Sequence, residues 1–67
     1  MKLKDFLDLY DNWNSTVVIN SDELLPMFCH WQVSRFVDTY RYAPIMSRKV
    51  KAFGYYDNEL CIRIDTK

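Results

Sequence analysis

The stretch Val50-Lys51-Ala52-Phe53-Gly54-Tyr55-Tyr56-Asp57-Asn58-Glu59-Leu60-Cys61-Ile62-Arg63-Ile64-Asp65 decides the class of this chain. Two segments rich in aromatic and β-branched residues flank Asp57-Asn58, a pair that tolerates the positive φ of a tight hairpin turn. A two-residue loop pairs Tyr55 with Leu60 and Phe53 with Ile62. One face of the ribbon then carries Lys51, Phe53, Tyr55, Leu60, Ile62 and Ile64, and the other carries Val50, Ala52, Tyr56, Cys61 and Arg63. Gly54, the one glycine of the chain, reads as a bulge or as a place of close backbone approach, and a bulge would change the facing of Val50 and Ala52.

Upstream, Leu3, Phe6, Leu7 and Tyr10 fall at i, i+3, i+4 and i+7, the stripe of an amphipathic helix over 2–11. A helix that short is marginal alone and must lie on a sheet. Thr16 to Asn20 is β-branched and reads as a strand, with Ser21-Asp22 as the turn after it. Residues 25–31 read as a second strand, which Pro26 confines to an edge or to its opening residues. Val33, Phe36, Val37 and Tyr40 repeat the helical stripe over 33–41, ended ahead of Pro44. Pro44-Ile45-Met46-Ser47 is a connector able to hold one helical turn with proline at its start.

These elements assemble into a single α+β domain over 1–67. Its expected form is a four-stranded antiparallel sheet (16–20, 25–31, 50–56, 59–65) with two short helices on one face. Leu3, Phe6, Leu7 and Tyr10 should pack on Val17, Ile19, Phe53, Leu60, Ile62 and Ile64. On that packing, Phe6→Ala is expected to cost about 3–5 kcal/mol.

A chain of 67 residues closes only a small core, since a domain this size buries only about 60% of its unfolded surface. Large side chains compensate: two Trp, five Tyr and four Phe each remove much area from water. So small a body cannot hide them all, and exposed rings are the raw material of an interface. A protein partner or self-association follows as an expectation.

Formal charge is zero overall but uneven. Lys2 and Lys4 against Asp5, Asp8, Asp11, Asp22 and Glu23 leave residues 1–25 at −3. Arg35, Arg41, Arg48, Lys49 and Lys51 against Asp38 leave 26–51 at +4, and 52–67 stand at −1. Neutrality argues against a general nucleic-acid coat and against an acidic DNA mimic. The start Met-Lys-Leu-Lys-Asp has no apolar export region, and no apolar run approaches a membrane span of about 20 residues. Cys29 and Cys61 then read as reduced core thiols of a cytoplasmic protein. Asn14-Ser15-Thr16 matches the glycosylation triplet, which a cytoplasmic chain never presents to the enzyme.

Chemistry-bearing motifs are sparse. Cys29-His30 with Cys61 lacks the ligand number and close spacing of a zinc site. Neighbours in a strand face opposite ways, so a Cys29–His30 nucleophile pair is not expected, and Cys29 should be buried with His30 at the rim. Asp5, Asp8 and Asp11 read as a solvated helix face. A single glycine excludes a Gly-rich phosphate loop. No enzyme, metal or cofactor is expected. The favoured surface for a protein partner is Trp31, Arg35, Tyr40, Arg41 and Tyr42, the residue types that carry interface energy. The rival is a single-strand nucleic-acid binder using Arg35, Arg41, Arg48, Lys49 and Lys51, with neighbouring rings stacking on bases.

The start Lys4-Asp5-Phe6-Leu7-Asp8-Leu9-Tyr10-Asp11, the strand Val17-Val18-Ile19, and the ending with Val50, Phe53-Gly54, Tyr56-Asp57-Asn58 and Leu60-Cys61-Ile62-Arg63-Ile64 resemble a group of short uncharacterised α+β proteins. Firmicutes, their phages and other mobile elements carry them. The likeness spans both ends, while residues 24–49 depart from it, with extra bulk at Leu25 to Trp31. The resemblance implies an intracellular protein from a mobile or phage-like context. Small proteins of that setting are often accessory factors that inhibit host machinery, anti-CRISPR inhibitors among them. No catalytic residues come with it.

Overall fold

The computed structural model describes residues 1–21 and 26–65. Its elements run α1 (Leu3–Leu9), β1 (Thr16–Ser21), β2 (Pro26–Gln32), α2 (Val33–Tyr40), a 3₁₀ turn (Pro44–Ser47), β3 (Val50–Tyr56) and β4 (Glu59–Ile64). Helices and strands fall where the sequence places them, with ends moved by no more than two residues; Ser21, expected in a turn, closes β1 instead. Leu25, Asp22 and Lys67, which entered the strand, turn and charge readings, lie outside the described residues.

The sheet order is β2-β1-β4-β3. β1 pairs antiparallel with β2, and β3 pairs antiparallel with β4. The central pair, β1 and β4, is parallel, Val17 lying beside Leu60 and Ser21 beside Ile64. The sheet is therefore mixed, and the expectation of a wholly antiparallel one is corrected. Hairpins demand antiparallel neighbours, but β1 and β4 are far apart in sequence, and α2 with the 3₁₀ turn supplies the long crossover that parallel pairing requires.

Alternation along β1 and β4 turns Val17, Ile19, Leu60, Ile62 and Ile64 to one face, where they are buried with Leu3, Leu7, Val33, Phe36, Val37 and Met46. Both helices contribute to this one core, so they share a face of the sheet. Neither helix has a side-chain cap at its start. Backbone carbonyls replace it: Leu3 N–H donates to Arg48 O at 2.8 Å, Val33 N–H to Ser15 O at 3.0 Å, and Ser34 N–H to Trp13 O at 3.1 Å. The helix starts are thus satisfied only once the sheet has formed.

The hairpin turn is as read: Asp57 and Asn58 hold φ of 53° and 62°, the pair of positive values that a two-residue turn of this hand needs. Gly54 is not a bulge, for it pairs in register with Cys61. The irregularity lies between Val50 and Ala52, at Lys51, and returns Val50 to the core face, where it packs on the buried cluster. At Gly54 a β-carbon would stand 2.9 Å from Cε2 of Tyr56, so the glycine makes room for that ring on the same face.

Candidate functional site

β3 and β2 are the two edges of the sheet, and they differ. β2 opens with Pro26 and carries two register shifts against β1, each adding a residue on the β2 side. One surrounds Cys29-His30, where His30 adopts φ 59°. Such irregularities are the devices that blunt an edge. β3 is regular from Ala52 to Tyr56. Its opening is covered by the N-terminal segment, Val50 N–H donating to Met1 O at 2.8 Å and Lys2 bridging Lys49. Beyond that point no described residue pairs with its outer side. In a two-residue hairpin the residues flanking the loop form a hydrogen-bonded pair, and the pattern alternates from there. Tyr56, Gly54 and Ala52 therefore direct their backbone groups to β4, while Phe53 and Tyr55 direct theirs outward.

The side chains beside this free edge are apolar and exposed. Phe53 is 65% and Tyr55 53% exposed, with Leu9 at 74% and Met1 at 61%. Phe6 stands against Phe53 with ring centroids 4.8 Å apart. Met1, Phe6, Leu9, Tyr10 and Phe53 line one shallow groove along α1. The hydroxyls of Tyr10 and Tyr55 share a hydrogen bond of 2.7 Å, and Ser15 Oγ lies 3.1 Å from the Tyr10 oxygen. Burial first, then Tyr55 and Asp11, push the Tyr10 phenol upward against the opposing Ser15 bond. It stays protonated and holds α1 to the rim of β3. Phe53 was expected in the core; as a residue of an edge strand it has cover only on its inner side.

On the open face, His30 Nδ1 lies 2.7 Å from Glu59 Oε2. That hydrogen bond is the first cause holding the Glu59 carboxyl below its ordinary range, with Thr16 acting the same way and burial opposing. Cys29 is exposed and Cys61 half-buried, both as free thiols. The expectation of two core thiols is corrected: Cys61 pairs on the face away from the helices, and the extra residue in β2 turns Cys29 outward. The same irregularity undoes the strict alternation expected for neighbours, and Cys29, His30, Thr16 and Arg35 border one cleft. Burial, followed by Glu59 and Asp57, raises the Cys61 thiol. Among the described residues no group of three or more His, Cys, Asp or Glu side chains could hold a metal ion.

The five residues expected to bind a partner are divided. Trp31 and Tyr40, both half-buried, join half-buried Phe28 and fully buried Phe36 in an aromatic cluster, with ring centroids 5.0 to 6.2 Å apart. Arg35 borders the cleft beside Cys29, while Arg41 and Tyr42 border a different one with Lys4, Asp8 and Trp13. Tyr42 is 93% exposed, and Arg41 pairs with Asp38 at 3.2 Å. Of the basic set, Arg48 donates to the Asp65 carbonyl at 3.2 Å, and Lys49 and Lys51 are exposed at the start of β3, away from Arg35. Leu9, Met1, Phe53 and Tyr55 were not among the residues expected to bind. One signal pointed to them: Leu9 is a large apolar residue outside the stripe formed by Leu3, Phe6, Leu7 and Tyr10.

Comparison with protein-family models, with curated proteins and with solved structures finds no match. Among the described residues no helix is long and apolar enough to cross a membrane.

Proposed function

We propose that this chain is a non-enzymatic protein-binding module that acts by occlusion, and that it binds through the free edge of β3 and the apolar border beside it. One observation carries the reading: a strand edge, regular from Ala52 to Tyr56, whose outer side no described residue pairs with there, bordered by exposed Met1, Leu9, Phe53 and Tyr55. Such an edge offers main-chain hydrogen bonds for affinity and adjacent side chains for specificity, the mode of strand addition. Large apolar residues exposed together mark interaction sites. The resemblance to proteins of phages and mobile elements supplies the setting, an inhibitor that covers a working surface of host machinery. The basic residues support nucleic-acid binding less well, because Arg41 and Arg48 are engaged and the rest are dispersed.

The test compares three baits in lysate of a low-GC Gram-positive bacterium, with and without nuclease treatment: the parent chain, Leu9→Arg with Phe53→Arg, and Arg41→Glu with Tyr42→Ala. All four positions are exposed, but Phe53→Arg gives up the ring contact with Phe6, so a melting curve for each bait confirms that it is folded under the capture conditions. Proteins held by the parent and by the second pair, but lost from the first, are expected. Equal capture by all three overturns the placement. Loss only from the second pair moves the surface to the end of α2, and loss of every catch on nuclease treatment favours nucleic acid.

A further inference from the structure

We infer that the open face of the sheet, opposite the helices, carries a carboxylate-binding site centred on Arg63. This site is independent of the β3 edge and lies on a different surface.

Strand register assembles it. Arg63 of β4 lies between Asn20 of β1 and Ala52 of β3, and two residues back along β4, Cys61 lies between Val18 and Gly54. Residues side by side across a sheet share a face. These turn away from the helices, because Val17, Ile19, Leu60, Ile62 and Ile64 fill the core on the other side. Asn20, Ala52, Gly54, Tyr56, Cys61 and Arg63 border one cleft of about 230 Å³. Gly54 gives the cleft its relief. The Tyr56 ring lies along β3 where a β-carbon of residue 54 would crowd it, the hydroxyl 3.1 Å from that point. The ring thus forms a wall beside a floor of small residues.

Arg63 is the one charged residue among the described residues that border the cleft, and it is half-buried. Its Nε is closed off from solvent and has no hydrogen-bond partner among the described residues. No ion pair among those residues reaches its guanidinium, and Glu59, the other charged residue of β4, is taken by His30 at 2.7 Å. A buried donor left unpaired, on a cation without a counter-ion, is costly. Nothing anchors the guanidinium against a turn that brings Nε–H onto an acceptor. An anion with two oxygens in one plane matches the fork of Nε–H and Nη–H through two parallel hydrogen bonds.

The cleft narrows the choice of anion. One cation calls for one negative charge, and Asn20 and Tyr56 add neutral donors. A volume of about 230 Å³ is below the 300–1,000 Å³ or so of pockets for drug-sized ligands. The ligand is therefore a carboxylate on a short apolar stem, the stem lying against Ala52, Gly54 and the Tyr56 ring. A free short-chain acid and the glutamate side chain of another protein both present that group. Lys51, exposed and next to Ala52 in sequence, adds attraction without bordering the cleft.

Titration of the isotope-labelled full chain with butyrate, followed by NMR at constant ionic strength, tests it. The expected result is a saturable shift of the Arg63 Nε–H and of the amide of Gly54, the one glycine, with a Kd of about 1 mM. Butyramide, the neutral analogue, should move neither. Arg63→Lys keeps the charge but loses the fork and should weaken binding about tenfold at the Gly54 amide. Arg63→Met should abolish the shift while melting no lower than the parent, since no buried donor is then left unpaired. A parent that shows no saturable shift, butyramide that acts like butyrate, or an Arg63→Lys chain that binds as tightly as the parent overturns the inference. Inorganic phosphate that binds as tightly as butyrate overturns the assignment to a carboxylate. A blocked Ala-Glu-Ala peptide separates the two sources: tighter binding than butyrate assigns the site to an acidic side chain of a protein, and weaker binding assigns it to a free acid.

Discussion

Replacing Phe36 with alanine should come close to unfolding this protein. Phe36 is fully buried and meets Phe28 at 5.0 Å, Tyr40 at 5.1 Å and Trp31 at 6.1 Å between ring centroids. A buried aromatic side chain removes about 150–250 Å² from water, worth about 4–6 kcal/mol at 25 cal/mol per Å². Alanine keeps a small part of that, and the cavity is bordered by three rings that cannot all collapse into it, so the cost should be about 3–5 kcal/mol. A domain of 67 residues holds a total stability of about 3–10 kcal/mol. Phe6→Ala should cost less, about 1–2 kcal/mol, because Phe6 is half-buried and its ring neighbour Phe53 is exposed. Urea unfolding followed by tryptophan fluorescence measures both, since Trp31 belongs to the same cluster. Equal losses in the two variants would refute this division of the core, and so would a Phe36→Ala chain that melts with the parent.

Three further outcomes are expected. Gly54→Ala should destabilise the parent but stabilise a Tyr56→Ala background, where the added methyl meets no ring and a strand residue better than glycine is gained; the same sign in both backgrounds in a thermal-melt cycle would count against the proposed contact. Because the Glu59 carboxyl is held below its ordinary range, its stabilising share is complete above the unfolded carboxylate pKa and fades as pH falls through the lower folded value. The gap between parent and Glu59→Gln in urea midpoint should therefore shrink once the pH falls below the ordinary carboxylate range, and a gap that persists unchanged into strong acid contradicts the His30 pairing. Finally, the exposed Cys29 should react with a thiol reagent well before Cys61, whose thiol is raised by burial; mass spectrometry of partly labelled chains showing Cys61 modified first would refute the open placement of Cys29.

Local features were legible wherever local physics dominates. The stripes at Leu3 to Tyr10 and Val33 to Tyr40, the β-branched run Val17 to Ile19, and the Asp57-Asn58 turn each depend on residues close in sequence. Pro26 at an edge strand followed from its missing donor. The readings that failed concern neighbours that the sequence does not name. Whether Phe53 is core or border depends on whether another strand lies outside β3, and whether Cys29 faces inward depends on an extra residue absorbed at His30. That Trp31 and Tyr40 share an aromatic cluster with Phe28 and Phe36 is likewise a matter of how neighbouring elements pack.

The sequence by itself determined an α+β chain: two helical stripes, four strands, a hairpin closed by Asp57-Asn58, and the apolar faces of α1, β1, α2 and β4 that meet in the core. These follow from periodicity and from the φ that each residue tolerates. The tertiary structure alone decided that β1 and β4 run parallel, that β3 is an edge strand of the sheet, and that exposed Leu9, Phe53 and Tyr55 lie beside it. Strand order is a choice among distant partners, set by how the crossover through α2 packs on the sheet, and no short-range preference encodes it.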